Sequence, residues 1–160
     1  MCGIVGYVGN DAPQGIIIEG LKKLEYRGYD SAGIAVVNDG KIQLRKHVGA
    51  IVNLEKLIGK ENLGGHVGIG HTRWATHGAP SDVNSHPHMS NDNRIALVHN
   101  GTVENYVEIR TELEKEGFTF KSDTDSEVAA VLFGKYYNEL GDLKATMDKV
   151  THEMTGTFAL

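Results

Sequence analysis

The chain opens MCGIVGYVG, and its only cysteine stands at position 2, directly behind Met1 and ahead of Gly3. Cysteine is small enough for an initiator methionine to be trimmed in front of it, which would make Cys2 the first residue of the mature chain. An N-terminal cysteine carries its own base, because an α-amine of pKa about 7.7–8.0 is partly neutral near physiological pH. That amine can take the thiol proton directly or through one water, so nucleophilic chemistry needs no histidine partner. Gly3 lets the backbone approach a substrate closely. The alternative is a small buried hydrophobe at the start of a strand. Position alone leaves both open.

Three polar groups further along bear on that choice. HTRWATHG follows the apolar stretch HVGIG and sets a planar cation, Arg73, at a strand end, where small-molecule sites form. A guanidinium there suits a carboxylate, which it grips through two parallel hydrogen bonds. VHNG also closes a strand-like run; Asn100 offers a side-chain amide and Gly101 an uncovered backbone N–H. Two such donors converging would hold the oxyanion of a tetrahedral intermediate. Asp125, in the first turn of a predicted helix, could receive an ammonium group or simply complement the helix dipole. Singly, an arginine at a strand end is a surface charge and Asn-Gly a turn. Together they supply a nucleophile, a base, an oxyanion hole and both charges needed for an α-amino acid. His66, His71, His77, His86, His88 and His99 crowd one stretch, but no cysteine lies among them and the spacings match no zinc pattern. Hydrogen-bonded loop histidines, with no metal and no cofactor, are expected.

These groups need a frame. IVGYV reads as a buried strand, and residues 10–28 as a helix capped by Asp11, with Pro13 in its first turn and Gly28 at its end. Ile17, Ile18, Leu21 and Leu24 share one helix face. SAGIAVV and KIQLRKHV flank the hairpin signal NDG. AIVNLEKLIGK and NYVEIRTELEKEG read as helices, HVGIGHTR and RIALVHN as buried strands, and FTF as a short strand. SDTDSEVAAVLFGKYYNEL opens with the capping-box pair Thr124 and Glu127. LKATMDKVTHEM is a last helix, and TGTFAL begins a strand that the chain end interrupts, so the expectation is a piece of a longer fold.

Length and composition agree with this frame. With 40% hydrophobic and 23% charged residues, the 160-residue chain suits a globular domain with one core. A net charge of -5 disfavours a nucleic-acid partner, whose phosphates call for a basic excess. No apolar run reaches the roughly 18 residues of a membrane span, no secretory signal opens the chain, and a single thiol suits a reducing compartment, so a cytoplasmic location is expected.

Taken in order, CGIVG, LEYRGYDSAG, HTRWATHG, NSHPH, VHNG and SDTDSE resemble the glutaminase domains of the glutamine–fructose-6-phosphate aminotransferases (isomerizing). These are class II glutamine amidotransferases of the N-terminal nucleophile hydrolase type. The motifs span residues 2–127, and YRGYDSAG and RWATHG separate this group from other amidotransferases that share the terminal cysteine and Asn-Gly. The resemblance implies an α+β fold, a four-layer αββα sandwich, here truncated at its C-terminal end. Residues 1–160 would be a partial glutamine amidotransferase type-2 domain, with the sugar-isomerase domains absent. It implies Cys2 as nucleophile and Asn100 and Gly101 as oxyanion hole. Arg73, Trp74, Thr76, His77 and Asp125 would bind L-glutamine, with Arg27 in support. Partners implied are the sugar-isomerase domain of the full-length enzyme and a second copy in a homodimer. The alternatives are a catalytically silent glutamine-binding fragment, the glutaminase domain of another class II amidotransferase, and a histidine-based metal-binding module.

Overall fold

The computed structural model describes residues 2–75 and 78–160. Their packing divides into two compact units, Met1–Pro87 and His88–Leu160.

In the first unit, strands β1 (Gly3–Val8), β2 (Ser31–Asn38), β3 (Lys41–Val48) and β4 (Val67–Arg73) form one antiparallel sheet in the order β1-β4-β2-β3. The NDG signal makes the β2–β3 hairpin: Asp39 and Gly40 take φ of 49° and 72°, the twist that two-residue turns favour. Side chains alternate across a sheet. Ala32, Ile34 and Val36 of β2 therefore join one core with Ile17, Ile18 and Leu21 of helix α1 (Pro13–Leu24) and Ile51, Leu54 and Ile58 of helix α2 (Ile51–Ile58). Gly68 and Gly70, opposite Val36 and Ile34, leave room for Ile17 and Leu21. The odd-numbered residues His71 and Arg73 consequently point to the other face.

Two expectations for this unit fail in detail. Asp11 does not cap α1; the N-cap is Ala12, and the Asp11 amide donates to the Tyr7 hydroxyl instead. Gly28 does not end α1 in a left-handed turn. The helix stops at Leu24, tightens through a 3-10 turn over Glu25–Arg27, and Gly28 is extended at φ -170°. Helix α2 has no side-chain cap of its own, and Glu25 supplies one by accepting from the Ile51 amide at 2.8 Å.

The second unit is built around helix α4 (Asp125–Leu140), whose residues 125–134 are all buried. From Val128 to Gly134 it is apolar all round, and such a stretch belongs inside a core. Val128, Ala129, Val131, Leu132 and Phe133 pack with Ile109 and Leu113 of helix α3 (Tyr106–Lys115) and with Val150 of helix α5 (Leu143–Glu153). Strands β5 (His88–Met89) and β6 (Ala96–Leu97) form one antiparallel pair, and β7 (Asn100–Val103) and β8 (Gly156–Ala159) another.

The strand expected over RIALVHN is broken, because the chain changes partners at Val98 and His99, from β5 to β8. FTF is no strand at all. Asn91 satisfies the Thr119 backbone on both sides, donating to its carbonyl at 2.8 Å and accepting from its amide at 3.0 Å. A side chain thereby does what a neighbouring strand would have done. No helix among the described residues is long and apolar enough to cross a membrane.

Candidate active site

Cys2 precedes Gly3, whose register partner on β4 is Thr72, so the thiol falls level with Arg73 at the end of that strand. Sγ accepts a hydrogen bond from the Trp74 amide at 3.2 Å and donates to the Trp74 carbonyl at 3.6 Å. The terminus is thus pinned by sheet pairing on one side and by the following loop on the other.

The segment YRGYD builds the other wall of this corner. Gly28 is buried, and a Cβ there would sit 2.7 Å from the Arg73 carbonyl carbon and 2.9 Å from the Trp74 nitrogen. Only glycine permits that approach. Two residues on, Asp30 clasps the same strand end: its amide donates to the Arg73 carbonyl at 3.0 Å, and its Oδ2 accepts from the Ala75 amide at 2.7 Å. Tyr29 meets the Trp74 ring edge-on at a centroid distance of 5.4 Å. Arg27, half-buried, closes the 3-10 turn before this segment. In this motif Arg27 carries the expected supporting role, whereas Gly28, expected only to end α1, and Asp30, given no role by the sequence, make the contacts to the end of β4. Their signal is a glycine and a carboxylate within three residues, a pattern also typical of an ordinary turn.

Arg73 is 4% exposed, and its guanidinium donates to the Gly78 carbonyl at 3.0 Å. Trp74 is 44% exposed. Thr76 and His77 lie outside the described residues.

In the second unit, Asn100 and Gly101 open β7 opposite Ala159 and Phe158. Gly101 takes φ of +127°, and a Cβ there would land on the Thr157 carbonyl. No other residue fits, which leaves its amide without side-chain cover. Asp125 begins α4 and is 4% exposed; its Oδ2 accepts from the Val103 amide at 2.9 Å and its Oδ1 from the Ser126 hydroxyl at 3.2 Å. His99 Nδ1 lies 2.8 Å from Ser126 Oγ and 3.9 Å from Asp125 Oδ1. The carboxylate expected at the helix start is therefore tied to the end of β7, two residues beyond Gly101.

Thr124 caps α4 by accepting from the Glu127 amide at 3.2 Å. Glu127 completes no reciprocal capping box. Its carboxylate takes the amides of Lys121 and Ser122 and the Ser122 hydroxyl, fixing the loop that leads into the helix. Among the histidines, His71 stacks on His86 at 4.1 Å, and His88 Nε2 meets Thr124 Oγ1 at 3.0 Å. Among the described residues no three histidine, cysteine or carboxylate side chains are grouped as a metal site would require.

Solved structures of the same architecture exist. A glutamine phosphoribosylpyrophosphate amidotransferase from B. subtilis, complexed with ADP and GMP, matches 98% of this chain and 34% of its own at a TM-score of 0.81 and 28% identity. A structure described as the allosteric regulatory enzyme of purine biosynthesis matches equally, with a TM-score of 0.82 and 27% identity. The fold is α+β with antiparallel sheets, of the N-terminal nucleophile hydrolase type. A family model described as a glutamine amidotransferase domain matches residues 58–160, and the chain belongs to that family.

Curated relatives include glutamine–fructose-6-phosphate aminotransferases (isomerizing) of Clostridium perfringens, 54% identical over the whole chain, and of Streptomyces coelicolor, 48% identical over the whole chain. That of Aquifex aeolicus is 50% identical over 99% of it. The chain spans 26% of the length of each of these relatives.

Proposed function

We propose that this chain is the glutamine-hydrolysing portion of an amidotransferase that makes glucosamine 6-phosphate from fructose 6-phosphate. Its task is to release ammonia from L-glutamine through a cysteinyl thioester. The observation that carries this reading is the placement of Cys2 Sγ 3.2 Å from the Trp74 amide, level with a buried Arg73, in a chain about half identical to such enzymes.

The mechanism follows from the residues. With Met1 removed, the Cys2 α-amine takes the thiol proton, and the thiolate attacks the side-chain amide carbon of glutamine. The amide oxygen becomes an oxyanion, held by the Asn100 side-chain N–H and the Gly101 backbone N–H. The α-ammonium returns its proton to the leaving nitrogen, the C–N bond breaks, and ammonia departs, leaving a γ-glutamyl thioester. The same amine then deprotonates a water that cleaves the thioester to glutamate and free thiol. Arg73 takes the substrate α-carboxylate and Asp125 its α-ammonium. Trp74, Thr76 and His77 form the loop over it, and Arg27 supports the site.

In the longer protein the ammonia would pass to a sugar-isomerase half, in a cytoplasmic homodimer. Within this chain, Cys2→Ala is expected to abolish glutamate release while glutamine still binds. Intact mass should show the loss of one methionine in the active material. Hydrolysis that survives Cys2→Ala, or full activity in a chain retaining Met1, would overturn the assignment.

A further inference from the structure

Lys46 lies on β3, away from the residues of the proposed chemistry, yet its ammonium is the hub of a loop that reaches them. Its Nζ donates to three backbone carbonyls, Val83 at 3.1 Å, Ser85 at 2.7 Å and Pro87 at 3.4 Å. An ammonium has three donors. Alternate carbonyls of one loop converging on a single point place like partial charges together, an arrangement that a cation at the centre stabilises. Two residues along the same strand, the Val48 amide donates to Asp82 Oδ1 at 2.7 Å, pegging the loop a second time.

The loop itself is knitted to its own beginning. Asn84 Nδ2 donates to the Ala79 carbonyl at 3.0 Å, and Ser85 Oγ donates to the Ser81 carbonyl at 2.6 Å. Asn84 and Ser85 are buried. At the loop's first residue, the Gly78 carbonyl accepts from the Arg73 guanidinium at 3.0 Å. Hydrogen bonds and the short backbone between them thus connect Lys46, through residues 78–87, to the arginine expected to bind the substrate carboxylate.

We propose that Lys46 is a positioning residue for Arg73. It acts as a tethered cation that fixes the 78–87 loop, and with it the Gly78 carbonyl that orients the guanidinium in the absence of substrate. A guanidinium so held is oriented before substrate arrives, and a carboxylate then binds without first ordering the side chain. The inference rests on the glutaminase reading for Arg73, so the test separates the two.

Cys2 is the only thiol in the chain, and its alkylation by iodoacetamide reports on it alone. Slowing of that alkylation by increasing glutamine gives an affinity that needs no turnover. Lys46→Met is expected to weaken glutamine protection by about fivefold to tenfold, the scale for residues that act on a site through its supports. The alkylation rate without glutamine should stay unchanged, and Lys46→Arg should restore most of the protection. Asp82→Ala, at an exposed position, removes the second peg and should weaken protection in the same direction by less; it serves if Lys46→Met does not fold.

Unchanged protection in Lys46→Met or, where that variant does not fold, in Asp82→Ala would overturn the positioning role. So would a parallel change in the unprotected rate with no rescue by arginine, which would mark Lys46 as merely structural. Absence of glutamine protection in the wild-type chain would instead overturn the glutaminase reading.

Discussion

A terminal thiol can act as a directed nucleophile only if the backbone behind it is held. Pairing of Gly3 with Thr72 and the Trp74 amide on Sγ provide that hold. On the proposed reading, Arg73 would bind substrate and Asn100 would stabilise developing charge, and their variants should separate the two. Arg73→Lys should chiefly raise the KM for glutamine, because one ammonium cannot reproduce the two parallel bonds of a guanidinium. An unchanged KM in steady-state assays would count against the carboxylate role. Asn100→Ala should lower kcat by about 10²–10³, the usual loss for one oxyanion donor. A defect confined to affinity would contradict that.

At the scale of elements, the two motifs LEYRGYDSAG and HTRWATHG are one structural unit, since Gly28 and Asp30 of the first hold Arg73, Trp74 and Ala75 of the second. Gly28→Ala would place a methyl group 2.7 Å from the Arg73 carbonyl carbon, and the strand end must retreat. The expected cost is about 1–3 kcal/mol, the range for overpacking a filled space, accompanied by slower glutamate release. Thermal melts and a glutaminase assay on the same sample would check both, and a variant as stable and active as wild type would remove the clasp from the account. Helices α4 and α5 are joined by a comparable device, the Tyr136 hydroxyl donating to the Glu153 carboxylate. Burial, reinforced by this bond and by nearby carboxylates, pushes the Tyr136 phenol well above its ordinary range.

For the whole molecule, Asp92 and Tyr136 each contribute to the pH dependence of stability. Burial would push the Asp92 carboxyl up. Hydrogen bonds from Ser90, Asn138 and the Arg94 amide outweigh it and hold the group below its usual value. A carboxyl lowered on folding contributes stability above its unfolded value of about 3.9, and that contribution drains away as pH falls further. A phenol raised on folding contributes below its unfolded value of about 10 and loses that contribution as pH climbs beyond it. Melting temperature should therefore be flattest between these limits. Asp92→Asn should soften the acid limb and Tyr136→Phe the alkaline limb. Limbs that stay unaltered in the two variants would show that other groups control them.

The sequence by itself determined most of the elements and the identity of the candidate chemistry. Periodicity placed α1 and α3, a capping pattern ahead of an apolar run placed α4, Asn-Asp-Gly placed the β2–β3 hairpin, and residue types nominated Cys2, Arg73, Asn100, Gly101 and Asp125. These are local properties, because a turn, a cap or a reactive group is written within a few residues. The tertiary structure decided everything that depends on distant partners. Asn91 rather than a strand satisfies the backbone of FTF, Glu25 rather than a local residue caps α2, and the chain breaks at Val98 and His99 to change sheets. Asp30 on the Ala75 amide and Lys46 on three loop carbonyls belong to the same class. Hydrogen-bond partners tens of residues away leave no periodic trace in a sequence, and only folding reveals which of them are met.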